Sequence, residues 1–329
     1  MELAKLNIIL NNLLSPAILF FLLGIIAGVI KSDLSVPTSI SKYLTIYLMM
    51  SIGFKGGCSL LSDNKINLQM LSLVATGIML SFSIPFISFW LLNLLTKLDK
   101  PTAAAVAAHY GSVSIVTFAT AVSFIKFYNI EHKSYIISIL AIMEAPAILS
   151  GLYIAHKKDP KTKNHKNEEK ILYREIFTNG AILLLLGSFI IGFITGKTGY
   201  EKVEAFLITP FNGILCLFLL DMGLIVAKEF HHFKKLNFSL FLFGIYMPII
   251  NALIGMMLCY IIGVDKGTTL LFTVLCSSAS YIAVPAAMRL ALPEAKAGIY
   301  IPMSLAITFP FNIIFGIPMY YTIISLIFK

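Results

Sequence analysis

Charge is what this sequence has least of. Asp, Glu, Lys and Arg make up 12% of its 329 residues, against about 25% in a typical soluble domain. Apolar types account for 58%, above the soluble norm of about 45–50%, and the mean hydropathy is +0.88. So little charge excludes a soluble enzyme, a disordered chain and a nucleic-acid-binding protein. Cysteine is scarce as well. Cys58, Cys216, Cys259 and Cys276 stand apart, with no C-x-x-C pair and no Cys/His ligand spacing. They read as small apolar packing residues, or reactive thiols at most. Catalytic signatures are missing too: there is no H-E-x-x-H, no G-x-S-x-G and no Walker A sequence. The chain is therefore expected to be neither an enzyme nor an ATP-driven pump, and no cofactor is expected.

Long apolar runs are what it has in abundance. Ten segments stand out, at approximately 15–31, 37–60, 69–96, 101–127, 133–156, 177–196, 201–228, 236–263, 267–292 and 297–328. A span needs about 20 apolar residues, so the pattern predicts an all-α polytopic membrane protein with ten transmembrane helices. Barrel strands would be far shorter. The first apolar stretch lacks a strongly basic lead and an A-x-A cleavage site, so it is expected to be the first span.

One long polar stretch, rich in Lys and holding Pro160, follows the fifth segment. It divides the chain into a first half at 1–156, a basic linker at 157–175 and a second half at 176–329. The halves carry echoes of each other. Ala17-Ile18-Leu19 recurs as Ala181-Ile182-Leu183, Ser112-Val113-Ser114 as Ser278-Ala279-Ser280, and Leu140-Ala141-Ile142 as Leu305-Ala306-Ile307, while Gly151 matches Gly316. All four matches fall at offsets of 164 to 166 residues. Five spans per half would place the halves in opposite orientations, the inverted-repeat plan of secondary transporters. The net charge of +9 fits the cytoplasmic Lys/Arg bias of membrane loops. Sixteen of the 25 basic residues gather on one face, seven of them in the linker. The linker is therefore expected in the cytoplasm of a cell (inner) membrane protein, with both termini outside.

The fourth and ninth segments meet small, polar or helix-breaking residues in mid-span. In the fourth these are Gly111, Ser112, Ser114 and Thr117; in the ninth, Ser277, Ser278, Ser280 and Pro285. A helix broken at membrane depth exposes free N–H groups and a partial positive charge. With Ser and Thr hydroxyls nearby, that suits a small anion. The plain alternative is close helix packing through small residues. Glu144, in Met143-Glu144-Ala145-Pro146, is a carboxylate in mid-span, which is costly and rare without a role. Pro146 also frees the Ile142 carbonyl one turn earlier. Glu144 and Ile142 together offer oxygens for Na⁺ or a proton. Asp221 is the second intramembrane acid, either an ion ligand or the partner of a neighbouring helix. Asn251 and Asn312 suit interhelical hydrogen bonds. His109 suits a satisfied bundle histidine more than a proton relay. Arg289 is expected to snorkel or to contact a helix C-terminus. His231-His232 beside Lys234-Lys235 suit a lipid-facing cluster.

Four stretches together resemble a known family, the sodium-dependent bicarbonate transporters (SbtA-like permeases). They are Ile52-Gly53-Phe54-Lys55-Gly56-Gly57, Ser112-Val113-Ser114-Ile115-Val116-Thr117, Met143-Glu144-Ala145-Pro146-Ala147, and Ser278-Ala279-Ser280-Tyr281-Ile282-Ala283-Val284-Pro285 through Arg289 and Pro293. The resemblance implies inverted five-helix repeats, a core domain moving against a gate domain, and a homotrimer. It implies Na⁺-coupled bicarbonate uptake. The hydroxyls of Ser112, Ser114, Thr117, Ser278 and Ser280 would hold the anion, and Glu144 would serve the cation site. Some relatives bind a cytoplasmic PII-like regulator, which the basic linker could serve. Three departures fall in the site: Glu144 stands for a family Asp, Ile115 and Val116 for Gly and Ser, and Tyr281 for an acid. Tyr281 thus joins the expected substrate site. The added apolar bulk leaves open another small anion, such as a monocarboxylate. A non-transporting membrane receptor on the same fold is the alternative of a different class.

Overall fold

The computed structural model describes residues 16–60, 68–156, 180–228 and 238–327. The basic linker at 157–175 and the His231-His232 cluster lie outside these described residues. Every regular element among them is helical, as lipid requires of a chain whose backbone groups must all be satisfied internally. The helices are α1 (Pro16–Val29), α2 (Thr38–Ser59), α3 (Leu68–Leu95), α4 (Lys100–Gly111), α5 (Ile115–Phe127) and α6 (Ile136–His156). They continue with α7 (Gly180–Val203), α8 (Phe211–Lys228), α9 (Phe238–Ile262), α10 (Lys266–Ser277), α11 (Ala283–Ala291) and α12 (Ala297–Ile327).

Six stretches among the described residues are long and apolar enough to cross a membrane unaided. They run over Leu68–Leu95, Lys100–Phe127, Ile136–His156, Leu183–Ile208, Phe238–Ile262 and Ala297–Ile327. Part of the shortfall from ten has local causes. The ninth segment is divided by its break into α10 of 12 residues and α11 of nine. α2 is 22 residues long but dilutes its apolar content with Ser, Thr, Lys and Gly. The division between the sixth and seventh segments also moves. Gly196 takes a left-handed φ of +54° and kinks α7, but helix resumes and runs through a π-helical turn at Glu204–Ile208. The real stop is Thr209-Pro210, where Pro cannot supply the next helical N–H. α12 likewise stays helical throughout, with π-helical turns at Met303–Thr308 and Asn312–Gly316.

Glycine sets the closest contacts. α2 lies against α7, and a Cβ on Gly57 would sit 2.0 Å from the Phe189 carbonyl oxygen. A Cβ on Gly192 would sit 2.2 Å from that of Phe54. α1 packs on α8 through Gly24 and Gly223 in the same way. Small residues at such crossings let van der Waals packing hold helices together where lipid removes the hydrophobic drive. α3 packs on α4 and α6, α9 on α10, and α12 against α9 and α10. The helices thus form two packing groups: α1, α2, α7 and α8 in one, the remainder in the other. Apolar side chains such as Leu23, Ile26, Trp90, Ile194, Met257 and Phe315 point outward and are exposed, as suits a lipid-facing surface. The chain is a multi-pass membrane protein.

Candidate functional site

The site grows from two short helices that stop inside the protein. Asp99 caps α4 by accepting the Thr102 N–H at 3.1 Å, and Asp265 caps α10 by accepting the Thr268 N–H at 2.9 Å. Thr102 and Thr268 then each accept a backbone N–H from another loop, those of Lys296 (3.1 Å) and Lys133 (2.9 Å). The underlying sequence is Asp-Lys-x-Thr at 99–102 and again at 265–268. That repeat, at the offset of 166 already shared by the serines, is a signal the sequence reading passed over. Each helix runs twelve residues and ends in extended backbone, at Ser112 (φ −99°, ψ 179°) and Ser278 (φ −79°, ψ 163°). Gly111 is required at the first stop, since a Cβ there would meet the Pro85 ring at 2.4 Å.

Two helix C-termini inside an apolar bundle leave carbonyls without partners. Side-chain amides supply them. Asn251 donates to the Tyr110 carbonyl at 3.2 Å, and Asn312 donates to the Ser277 carbonyl at 2.9 Å. The Asn312 amide oxygen in turn accepts the Tyr320 hydroxyl at 3.0 Å. Both asparagines thus make interhelical bonds, and their specific task is to finish the broken helices.

The two breaks interlock. The Ser280 N–H donates to the His109 carbonyl and the Ser114 N–H donates to the Ser278 hydroxyl, both at 2.9 Å. Ser114 also caps α5, accepting the Thr117 N–H (3.2 Å) and its hydroxyl (2.8 Å). Ser280 accepts the Val284 N–H at 3.3 Å near the start of α11. Glu144 reaches the same place from α6. It accepts the Ser112 hydroxyl, and the Ser280 hydroxyl lies beside the same carboxyl. Ser112, Ser114, Thr117, Ser278, Ser280 and Glu144 are all buried. One carboxyl and five hydroxyls from five helices and their junctions therefore meet at one crossing. Pro146 removes the helical donor to the Ile142 carbonyl, and the Ser81 hydroxyl bonds the next carbonyl, that of Met143.

The second half departs from the first at the acid. At the offset of 165, Glu144 corresponds to Phe309. Phe309 meets the Tyr281 ring edge to face, 5.4 Å between centroids. Phe309 thus stands where the first half has the Glu144 carboxyl, and it packs on Tyr281 from the second break. Tyr281 is buried, with its hydroxyl near Ser114.

Asp221 lies elsewhere. Its carboxyl oxygen Oδ2 accepts the Ser41 hydroxyl and pairs with Arg289 Nη1 at 3.1 Å. Arg289 also donates to Ser41 at 2.9 Å. The pairing with a neighbouring helix, one of the two roles open to Asp221, is thus present, and its carboxyl shares no hydrogen bond with Glu144. The expectation that Arg289 snorkels is corrected: at 28% side-chain exposure, its guanidinium turns inward to the acid. Ser41 carried no sequence signal, being an ordinary Ser in an apolar segment. His109 satisfies Nδ1 on the Ala105 carbonyl at 2.6 Å and lies against Tyr300.

Among curated proteins no relative matches this chain. A family model does match, over residues 16–325, and spans both breaks, the Glu144 helix and the helices of both packing groups. On that match the chain belongs to the Na⁺-dependent bicarbonate transporter superfamily.

Proposed function

We propose that this protein is a secondary active transporter that takes up bicarbonate coupled to Na⁺. The observation that carries the proposal is the crossing of two helix breaks around a single buried carboxyl. N–H groups and hydroxyls at the breaks supply donors for a small anion when they exchange their present protein acceptors for it. Glu144, the hydroxyls of Ser112 and Ser280, and the Ile142 carbonyl supply hard oxygen ligands of the type a Na⁺ ion takes. The cation offsets the anion's charge, so the pair crosses more cheaply than either ion alone. Serine hydroxyls serve both ions because the O–H donates to the anion while the oxygen lone pairs coordinate the cation. In this reading Ser112, Ser114, Thr117, Ser278 and Ser280 bind the anion, with Tyr281 as a wall of the site.

The wider proposal is a ten-helix protomer in two inverted repeats, 1–156 and 176–329, joined by the linker at 157–175. The local likeness of 99–114 and 265–280 supports it. So does the division of the helices into two packing groups, which suits an elevator-like movement of a core domain against a gate domain. A homotrimer, an inner-membrane location with both termini outside, and a PII-like regulator at the cytoplasmic linker belong to the same proposal.

The test is uptake of labelled bicarbonate into proteoliposomes with and without an inward Na⁺ gradient. Gradient-driven accumulation is expected, and Glu144→Gln should abolish it. Gln keeps the side chain's size and an acceptor for Ser112 while removing the negative charge. Undiminished Na⁺-driven uptake by that variant would remove Glu144 from the mechanism.

A further inference from the structure

Between the two packing groups lies a cleft of about 440 Å³ that the crossing of the breaks does not use. Ile115, Phe118, Leu140 and Leu207 form much of its wall, drawn from α5, α6 and the π-helical turn after α7. Its polar features are few. Lys55 on α2 is the one charged side chain among the described residues that line it, with Asn212 on α8 nearby. No described carboxylate pairs with Lys55. The cleft begins beside the crossing, because Ile115 follows Ser114 directly in the chain.

A bicarbonate ion has no hydrocarbon to set against those walls, and apolar surface offers nothing to compensate its lost hydration. A cavity of this size with apolar walls and one convergent charge is the usual form of a site for a small organic ligand. We propose that this cleft binds an organic monocarboxylate, its carboxylate on the Lys55 ammonium and its hydrocarbon chain against Ile115, Phe118, Leu140 and Leu207. The proposal deepens the transport reading by naming a second substrate class, and it rests on that reading only for the idea that the ligand is carried. Lys55 gives the sign of the ligand's charge. The walls give its apolar part, and the volume of about 440 Å³ sets the scale of its length.

The experiment is calorimetric titration of the full chain in detergent with linear carboxylates from acetate to decanoate, and with hexanol and bicarbonate alongside. Affinity should rise by about two- to fourfold per added methylene, the scale of burying a CH₂ group, and then level off once the cleft is full. Lys55→Met keeps the stem and removes the charge at an exposed position, so the fold should tolerate it. It should weaken hexanoate by about tenfold or more, the scale of a charge-assisted bond, and leave hexanol unchanged. Flat affinity across the series would overturn the proposal, as would hexanoate binding that ignores Lys55→Met. Affinity still climbing at decanoate would do so too, since it reports partition into detergent or a lipid surface. Na⁺-driven bicarbonate uptake without hexanoate binding would leave the transport reading standing and sink this one. Hexanoate binding without bicarbonate flux would do the reverse.

Discussion

Arg289→Met should destabilise this protein more than Asp221→Ala, although both break the same ion pair. Asp221 is 7% exposed and Arg289 28% exposed. Removing Arg289 strands a carboxylate in the bundle with the Ser41 hydroxyl as its remaining partner. Deleting one partner of a buried pair costs about 3–5 kcal/mol, because the other charge stays uncompensated. Removing Asp221 instead leaves a guanidinium that can turn toward water on its long stem. The loss is then nearer the worth of a charged hydrogen bond, about 1.5–3 kcal/mol. The double variant Asp221→Ala/Arg289→Met strands neither charge and should be more stable than Arg289→Met alone. A coupling energy of about 2 kcal/mol or more is expected from the cycle. Denaturant titration of the protein in mixed micelles measures all four forms. Equal losses in the two single variants, adding in the double one, would refute the assignment of a buried, mutually dependent pair. The pair also bridges α8 and α11, which belong to different packing groups, so a movement between those groups must break or carry it.

Four further outcomes follow from the geometry. Gly57→Ala should cost about 1–3 kcal/mol or more by overpacking, because the Phe189 carbonyl 2.0 Å from its Cβ is backbone and cannot swing aside. Gly187→Ala on α7 meets nothing within 4 Å and should gain about 0.5–1 kcal/mol from helix propensity, with thermal stability in detergent as the comparison. Asn312→Ala should cost about 1–2 kcal/mol, since it leaves the Ser277 carbonyl and the Tyr320 hydroxyl without their bonds, while Tyr320→Phe should cost less; denaturant midpoints separate them. Partial burial pushes the Asp99 carboxyl up, but bonds from Lys296 and Thr102 outweigh it and hold it below its ordinary value. Its contribution to stability should therefore be complete above the ordinary carboxylate range and fade as pH falls through its lowered pKa. Asp99→Asn keeps the cap and loses the ion pair to Lys296 (2.7 Å). An acid titration of stability in that variant should lack this component, and the difference should shrink in high salt.

Much of the site was legible because membrane sequences punish exceptions. A carboxylate at Glu144, and Ser-x-Ser in two apolar spans, stand out where nearly every neighbour is Leu, Ile, Ala or Phe. Hydropathy gave the positions of the helices for the same reason, since lipid tolerates no other backbone arrangement for long apolar runs. The repeated serines and the Asp-Lys-x-Thr caps also lie in the letters, because capping is a local matter of one side chain and the N–H three residues on.

Partnership was not legible. No local pattern says that Asn251 and Asn312 finish two broken helices, that Ser41 joins Asp221 to Arg289, or that Tyr281 meets Phe309. Those partners lie from 28 residues apart (Tyr281 and Phe309) to 248 apart (Ser41 and Arg289). Their identity depends on which helix faces which. Nor did hydropathy distinguish a stop at Gly196 from the true stop at Pro210, since a kinked glycine and a chain break look alike until the flanking helix finds its neighbour. The sequence by itself determined that the chain crosses lipid, where it breaks and what chemistry the breaks offer, because those follow from solvation and local backbone bonding. Only the tertiary structure decided which donors meet which acceptors, and where an apolar cleft was left between the packed groups, because those are set by contact across helices.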